Sequence, residues 1–179
     1  MSGDLAPPEA VLQKNTLPGS CWPMEGSIGQ ITLKLAYPVV VESVSIDHIS
    51  SNIIREGKYN SAPKHLKIIG YPACDELESN CGAAGFDLID PIDIADIDYD
   101  AEGPSVQTFE SQYAKAMASI PTPAFDVDDT EPGSCALQTS CSMPPRISVV
   151  AIEVKVLENW GNPDFTCLYR LRVHGDLEV

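Results

Sequence analysis

The residues of this chain with the most reactive side chains are its six cysteines, which are Cys21, Cys74, Cys81, Cys135, Cys141 and Cys167. Cysteine sulfurs bind metals, attack substrates or form disulfides. No C-x-x-C pair occurs, and the three histidines, His48, His65 and His174, are scattered without a zinc-binding pattern. Oxidised disulfides are therefore expected, and they imply an oxidising compartment.

Four of the cysteines form two close pairs inside segments rich in Pro, Gly, Asp and Ser. We interpret these segments, Pro72–Gly85 and Ile120–Pro145, as loop insertions. A local disulfide restricts the unfolded ensemble of such a loop and stabilises it by about 2–3 kcal/mol. The preferred connectivity is Cys74 with Cys81 and Cys135 with Cys141, and cross-pairing between the two loops is the alternative.

Acidic residues dominate the charge of the chain. Eleven Lys and Arg against 26 Asp and Glu give a formal net charge of −15, which repels phosphate groups and argues against binding nucleic acid or an anionic membrane surface. The acidic run from Asp90 to Asp100 lacks the regular spacing of an EF-hand calcium loop. It is predicted to be a solvated acidic loop.

Other reaction chemistry has little support in the sequence. No Ser-His-Asp or Cys-His order, phosphate-binding glycine loop or paired-carboxylate motif rises above background. No apolar run approaches the roughly 20 residues needed to span a bilayer, and Met1–Ala10 has no hydrophobic signal region. A non-enzymatic protein is expected, and any targeting or membrane segments of a lumenal protein would lie outside this chain.

The hydrophobic pattern predicts an all-β protein. Residues 1–10 are expected to be a flexible lead-in and residues 11–179 a single domain. The predicted strands are Ile28–Leu35, Val39–Ile49, Leu66–Tyr71, Phe86–Ile89, Ser105–Phe109, Ile147–Leu157 and Thr166–Val173. A bulge is expected near Glu42-Ser43, and Ile147–Leu157 should be central in a sheet. Helical periodicity is limited to Glu110–Ala118, so the pattern favours an antiparallel β-sandwich.

Four sequence blocks carry a resemblance to a known family. The blocks are Gly19-Ser20-Cys21-Trp22-Pro23-Met24-Glu25-Gly26-Ser27-Ile28-Gly29, Asp47-His48-Ile49, Ser61-Ala62-Pro63-Lys64, and Asn159 to Gly175 with its Trp160-Gly161-Asn162-Pro163 turn. In this order, across most of the chain, they resemble the SUN domain, the nuclear-envelope module that binds KASH peptides. The resemblance implies a β-sandwich of the galactose-binding jelly-roll type, to which the two disulfide-crosslinked loop insertions expected from the cysteine pairs would be additions.

The resemblance also implies a disulfide and a cation site. Cys21 and Cys167 match the two family cysteines that form a disulfide, which here would join the first loop to the last predicted strand. Beside it, SUN domains hold a monovalent cation, typically potassium, through main-chain carbonyls. The matching positions are Ala10, Gln13, Asn15 and Ser20, with Tyr169 nearby.

The partner implied by the resemblance is the C-terminal tail of a KASH-type protein of the outer nuclear membrane. The family pocket for the tail carboxylate maps to His48, Ser61, Phe165 and Tyr169, and Phe165 stands where a tyrosine is usual. The implied protein is an inner-nuclear-membrane component whose SUN domain lies in the perinuclear space and forms a LINC-type bridge from nucleus to cytoskeleton. It is expected to trimerise in the full-length protein and to self-associate only weakly as this chain, which begins almost at the cation loop.

A second hypothesis is a carbohydrate- or glycoprotein-binding β-sandwich module of the secretory pathway. Such modules bind sugars with exposed aromatic rings and carboxylates on loops. Tyr99, Tyr113 and the acidic run are the candidates for that role.

Overall fold

The fold comes from a computed structural model that describes residues 5–49, 53, 59–73, 91–119 and 146–178. These residues form eight strands and one short α-helix. The strands are β1 (Trp22–Glu25), β2 (Gly29–Asp47), β3 (Pro63–Pro72), β4 (Ile92–Asp98), β5 (Val106–Glu110), β6 (Val149–Asn159), β7 (Phe165–Leu168) and β8 (Arg170–Leu177). The helix α1 spans Gln112–Ala118, and two 3-10 helices span Pro8–Leu12 and Tyr59–Ser61.

Every strand pairing is antiparallel. Six strands form one sheet in the order β4-β3-β6-β2-β5, with β8 also paired to β2, and β1 and β7 form a separate two-stranded sheet. The predicted antiparallel β-sandwich is confirmed. The strand predicted to be central, β6, lies between β3 and β2, and its apolar side chains are buried on both faces.

Strand β2 joins two predicted strands into one of 19 residues. In its first half, Ile31 and Leu33 pack against the core while Thr32 is exposed, as alternation requires. Its second half pairs with β5 on one edge and β8 on the other. The pairing with β8 shifts register between Val41 and Ser43, so the bulge predicted near Glu42-Ser43 is confirmed.

The acidic segment is a strand, which corrects the prediction of a solvated loop. In β4 the carboxylates of Asp93, Asp96 and Asp98 are exposed, whereas Ile94 and Ile97 are buried. The acids alternate with apolar residues at nearly the period of a strand, so one face enters the core and the other is solvated. Asp93 forms an ion pair with Lys67 at 2.9 Å, and Asp98 pairs with His65 at 2.9 Å.

The last predicted strand divides into two. Residues on either side of Tyr169 belong to different sheets, because β7 pairs with β1 and β8 pairs with β2. The first 3-10 helix, Pro8–Leu12, begins inside the segment expected to be a flexible lead-in. Its residues Ala10 and Val11 are buried, and the helix contacts β8 and β1. The packed domain therefore includes residues before position 11.

Some predictions concern residues outside the described part of the chain. They include the strand Phe86–Ile89, nearly all of the two loop insertions, and the cysteines Cys74, Cys81, Cys135 and Cys141. Within the described ranges, no helix is long and apolar enough to cross a membrane.

Candidate functional site

A disulfide joins the two ends of the fold. Cys21 directly precedes β1 and Cys167 lies in β7, and the pairing of these strands brings the two Cα atoms to 5.5 Å. The bond closes a sequence separation of 146 residues. Both cysteines are buried and pack with Ile49 and Tyr169. The disulfide implied by the sequence resemblance is therefore present.

An open depression of about 450 Å³ lies against this disulfide. Its wall includes Ser61, at the end of the second 3-10 helix, and Phe165, at the start of β7. The other lining residues are Leu5, Ala6, Gly19, Cys21, Pro23, Asn60, Asn162 and Cys167. Two of the four predicted pocket residues thus reach one surface, and the polar groups around it are uncharged.

The other two predicted pocket residues are buried. His48 and Tyr169 are 7% and 5% exposed, and their rings meet edge to face at a centroid distance of 4.8 Å. The Tyr99 ring also lies beside His48, at a centroid distance of 5.8 Å. Tyr169 packs against the disulfide, and its side-chain oxygen is hydrogen bonded to the main chain of Gly19, which lines the depression. His48 and Tyr169 therefore support the depression from within the fold.

The end of β2 positions His48. Asp47, the last residue of the strand, accepts hydrogen bonds from Nε and Nη2 of Arg172 at 3.0 and 2.6 Å. The His48 main-chain N–H then donates to the carbonyl of Ser105 at 2.7 Å. These bonds fix the backbone on both sides of the point where the histidine enters the core.

Burial keeps His48 neutral. Desolvation lowers the pKa of its imidazole to about 4, although a hydrogen bond with the Ile49 carbonyl opposes the shift. Its Nε2 atom is buried and has no hydrogen-bond partner within the described residues. A buried polar atom without a hydrogen-bond partner lowers the stability of the fold. The Nε2 atom is therefore the atom of this site that can form a further hydrogen bond.

The turn between β6 and β7 shapes the second wall of the depression. The buried Asn159 side chain donates through Nδ2 to the Asn162 carbonyl at 2.7 Å and to Thr166 Oγ1 at 2.9 Å. Its Oδ1 accepts from the N–H of Gly161, which has a positive φ of 107° that favours glycine. The Asn162 N–H donates to the Asn60 carbonyl at 3.0 Å, which ties the turn to the second 3-10 helix.

Sequence reasoning identified this Gly-Asn-Pro segment only as a turn. It missed Asn60 and Asn162 as lining residues, because their place beside Ser61 depends on a hydrogen bond between distant segments. The only local signal is that each asparagine lies within three residues of a predicted pocket residue.

The loop predicted to hold a cation is ordered by its own side chains. Asn15 Oδ1 accepts from the Leu17 N–H at 3.1 Å, and the Ser20 hydroxyl donates to the carbonyls of Asn15 and Leu17 at 3.0 and 2.7 Å. The Ala10 carbonyl accepts from the Gln13 N–H at 3.0 Å. The Ala10 and Asn15 carbonyls each accept one of these hydrogen bonds and keep a second lone pair, whereas the Leu17 carbonyl also accepts from the Ser20 N–H. The Ala10 and Asn15 oxygens therefore remain compatible with a monovalent cation.

The residues proposed for sugar binding do not form an exposed platform. Tyr99 is 3% exposed, and burial together with nearby Asp100 and Asp47 raises its pKa to about 12. Tyr113 lines a separate depression of about 230 Å³ beside α1. No cluster of three or more His, Cys, Asp or Glu side chains able to hold a metal occurs among the described residues.

Comparison with known structures supports the jelly-roll fold. A family 32 carbohydrate-binding module from Streptococcus pneumoniae EndoD matches with a TM-score of 0.56 and 10% identity, covering 98% of this chain and 90% of that chain. An F5/8 type C domain from Bacteroides fragilis matches with a TM-score of 0.52 and 8% identity, covering 95% and 81%. At these identities the likeness shows the fold alone.

Comparison with known sequences identifies the family. The Sad1/UNC-like C-terminal family matches residues 2–128 and 129–177. The human SUN domain-containing protein 5 (Homo sapiens) is 32% identical over 171 residues, which cover 96% of this chain and 34% of that protein. Nuclear migration and anchoring protein unc-84 of Caenorhabditis elegans is 32% identical over 171 residues, which cover 94% of this chain and 12% of that protein.

This chain thus spans about a third or less of the length of these relatives. The family match nevertheless extends over almost all of its residues, and the sequence blocks that suggested the resemblance frame the disulfide and its depression. The chain belongs to the Sad1/UNC-like C-terminal family and is a SUN domain.

Proposed function

We propose that this SUN domain binds the C-terminal tail of a KASH-type protein in the perinuclear space, as the lumenal part of an inner-nuclear-membrane protein in a LINC-type bridge. Its relatives among SUN-domain proteins support a role at the nuclear envelope. Members of this family are structural or linker proteins rather than enzymes. Trimerisation belongs to the full-length protein in this proposal.

The observation that carries the proposal is the depression against the Cys21–Cys167 disulfide. It is open to solvent, and its surface combines the half-exposed Phe165 ring with the Ser61 hydroxyl. The Ser61 hydroxyl has no hydrogen bond within the described residues, so it is available to a ligand. A tail inserts its terminal apolar side chain beside Phe165 and its carboxylate beside Ser61, because hydroxyl donors bind an anion without a buried counter-charge.

In this arrangement His48 and Tyr169 form the floor of the pocket. The two rings pack against each other and Tyr169 packs against the disulfide, which keeps the wall rigid. Because Nδ1 donates to the Ile49 carbonyl, the unpartnered Nε2 of the neutral imidazole is an acceptor, so it suits an N–H of the tail and not its carboxylate.

Titration with a synthetic peptide of the last residues of a KASH-type tail tests this function. Ser61→Glu places a negative charge beside the carboxylate and should weaken binding by about tenfold or more. Gln30→Glu adds the same charge on an exposed position of β2 outside the depression and serves as the matched control. Unchanged affinity of Ser61→Glu would rule out the depression as the binding site.

We also propose that the loop from Ala10 to Ser20 holds a potassium ion through the carbonyls of Ala10, Gln13, Asn15 and Ser20. A bound cation would fix the loop next to the disulfide and so support Gly19, which lines the depression. The thermal midpoint of unfolding should be higher in potassium chloride than in tetramethylammonium chloride at equal ionic strength. Equal midpoints in both salts would exclude a stabilising cation.

A further inference from the structure

Asn162 holds its side-chain amide in one orientation. The main-chain N–H groups of Asp164 and Phe165 both point to the same side-chain atom of Asn162, at 2.9 and 3.3 Å. Because N–H groups donate to oxygen, that atom is Oδ1, and the amide nitrogen faces the opposite direction. The assignment of oxygen and nitrogen thus follows from the two donors.

The main chain of Asn162 is fixed as firmly. Its N–H donates to the Asn60 carbonyl at 3.0 Å, and its carbonyl accepts from Asn159 Nδ2 at 2.7 Å. The Nδ2 group is the remaining polar group of the residue, and it has no acceptor within the described residues. Asn162 is half-buried and lines the depression. It therefore has an oriented and unused amide donor pair at the wall of the depression.

The Asn162 amide lies beside Phe165, which has no hydrogen-bond donor in its side chain. Phe165 carries no hydroxyl and offers no hydrogen bond at this wall, while the Asn162 amide is three residues away in the same turn. No Lys or Arg lines the described surface of the depression, so an anionic group there depends on neutral donors. An amide N–H bound to a carboxylate is worth more than one bound to a neutral acceptor.

We infer that Asn162 is a specificity-determining residue of the tail pocket, whose Nδ2 donates to the terminal carboxylate of the bound tail. The inference rests on the proposed function, since it assigns one contact within that pocket. It predicts a preference for a free carboxyl terminus that depends on Asn162.

The test compares two synthetic peptides with the same KASH-type tail sequence, one with a free carboxyl terminus and one with a C-terminal amide. Asn162→Asp keeps an oxygen for the N–H groups of Asp164 and Phe165, so the turn is preserved, but it replaces the donor with a second acceptor. Affinity for the carboxylate peptide should fall by about tenfold or more. Affinity for the amide peptide should change by less than about threefold, because the peptide amide can donate to the new carboxylate.

The thermal midpoint of each variant checks the fold, and Gln30→Glu controls for the added charge. Equal losses for both peptides, or no loss for either, would overturn the role of Asn162 while leaving the proposed function intact. If the unaltered chain binds neither peptide, the proposed function itself fails and the inference with it.

Discussion

At the scale of single residues, His48 makes the stability of the fold depend on pH. Its imidazole is buried in contact with Tyr99 and Tyr169, and burial lowers its pKa from 6.5 to about 4. The pKa values of both tyrosines are raised by burial, so neither ring changes charge in this range. Between pH 6.5 and about 4 the unfolded chain therefore binds a proton that the folded chain does not, and stability falls as the pH falls.

The predicted contribution of His48 is a loss of about 2–3 kcal/mol in unfolding free energy on going from pH 7 to pH 4.5. Urea denaturation of the unaltered chain and of His48→Phe at both pH values measures it. Titrating carboxylates affect both proteins alike, so the difference between them isolates the histidine. Parallel pH dependence of the two proteins would show that His48 is not a buried neutral group.

A substitution at Phe165 is predicted to strengthen tail binding, whereas the other substitutions weaken binding or stability. It is 37% exposed at the rim of the depression, so a hydroxyl at its para position can be added without displacing core atoms. Phe165→Tyr should strengthen binding of a free-carboxyl tail peptide by roughly 3- to 10-fold and leave the unfolding free energy unchanged. The C-terminally amidated peptide is the control, and an equal gain for both peptides would contradict a contact with the carboxylate.

At the scale of elements, the Cys21–Cys167 disulfide crosslinks the two strands of the two-stranded sheet, β1 and β7. Pairing of β1 with β7 positions the two cysteines, while the bond restricts a long loop of the unfolded chain. Replacing both Cys21 and Cys167 with Ala should reduce the unfolding free energy by about 2–5 kcal/mol. Denaturant unfolding under non-reducing conditions measures the loss.

A reducing agent gives the matched comparison for this double variant. It should destabilise the unaltered chain much more than the variant, because the variant no longer contains the bond between β1 and β7. If the unaltered chain and the double variant have the same unfolding midpoint without a reducing agent, the pairing of β1 with β7 alone holds these ends together.

Strand β4 shows which elements the sequence could predict. The alternation in β2 was evident because its polar residues, such as Thr32 and Lys34, are ordinary for an exposed strand face. The same alternation in Ile92–Asp98 was hidden by the density of acids, which suggested a loop. Its carboxylates are accommodated because Lys67 and His65 on β3 pair with them across the strands, a contact that only the register of β3 and β4 defines.

At the scale of the whole molecule, sequence motifs predicted the disulfide, Ser61 and Phe165 around one surface. They did not predict that His48 and Tyr169 would lie inside the fold, since burial depends on how segments distant in sequence pack together. They also missed Asn162, whose position depends on its hydrogen bond to Asn60, about a hundred residues earlier in the chain. Local patterns therefore indicated residues around the depression, and long-range packing determined which of them are exposed on its surface.

The most direct test of this account is photo-crosslinking with a tail peptide that carries benzoylphenylalanine next to its free carboxyl terminus, followed by mass-spectrometric mapping. The account predicts crosslinks within residues 59–61 and 161–165, on the two walls of the depression. Excess unlabelled peptide should prevent them. Crosslinks confined to the separate depression beside α1, at Tyr113 and Ala116, would contradict the proposed binding site.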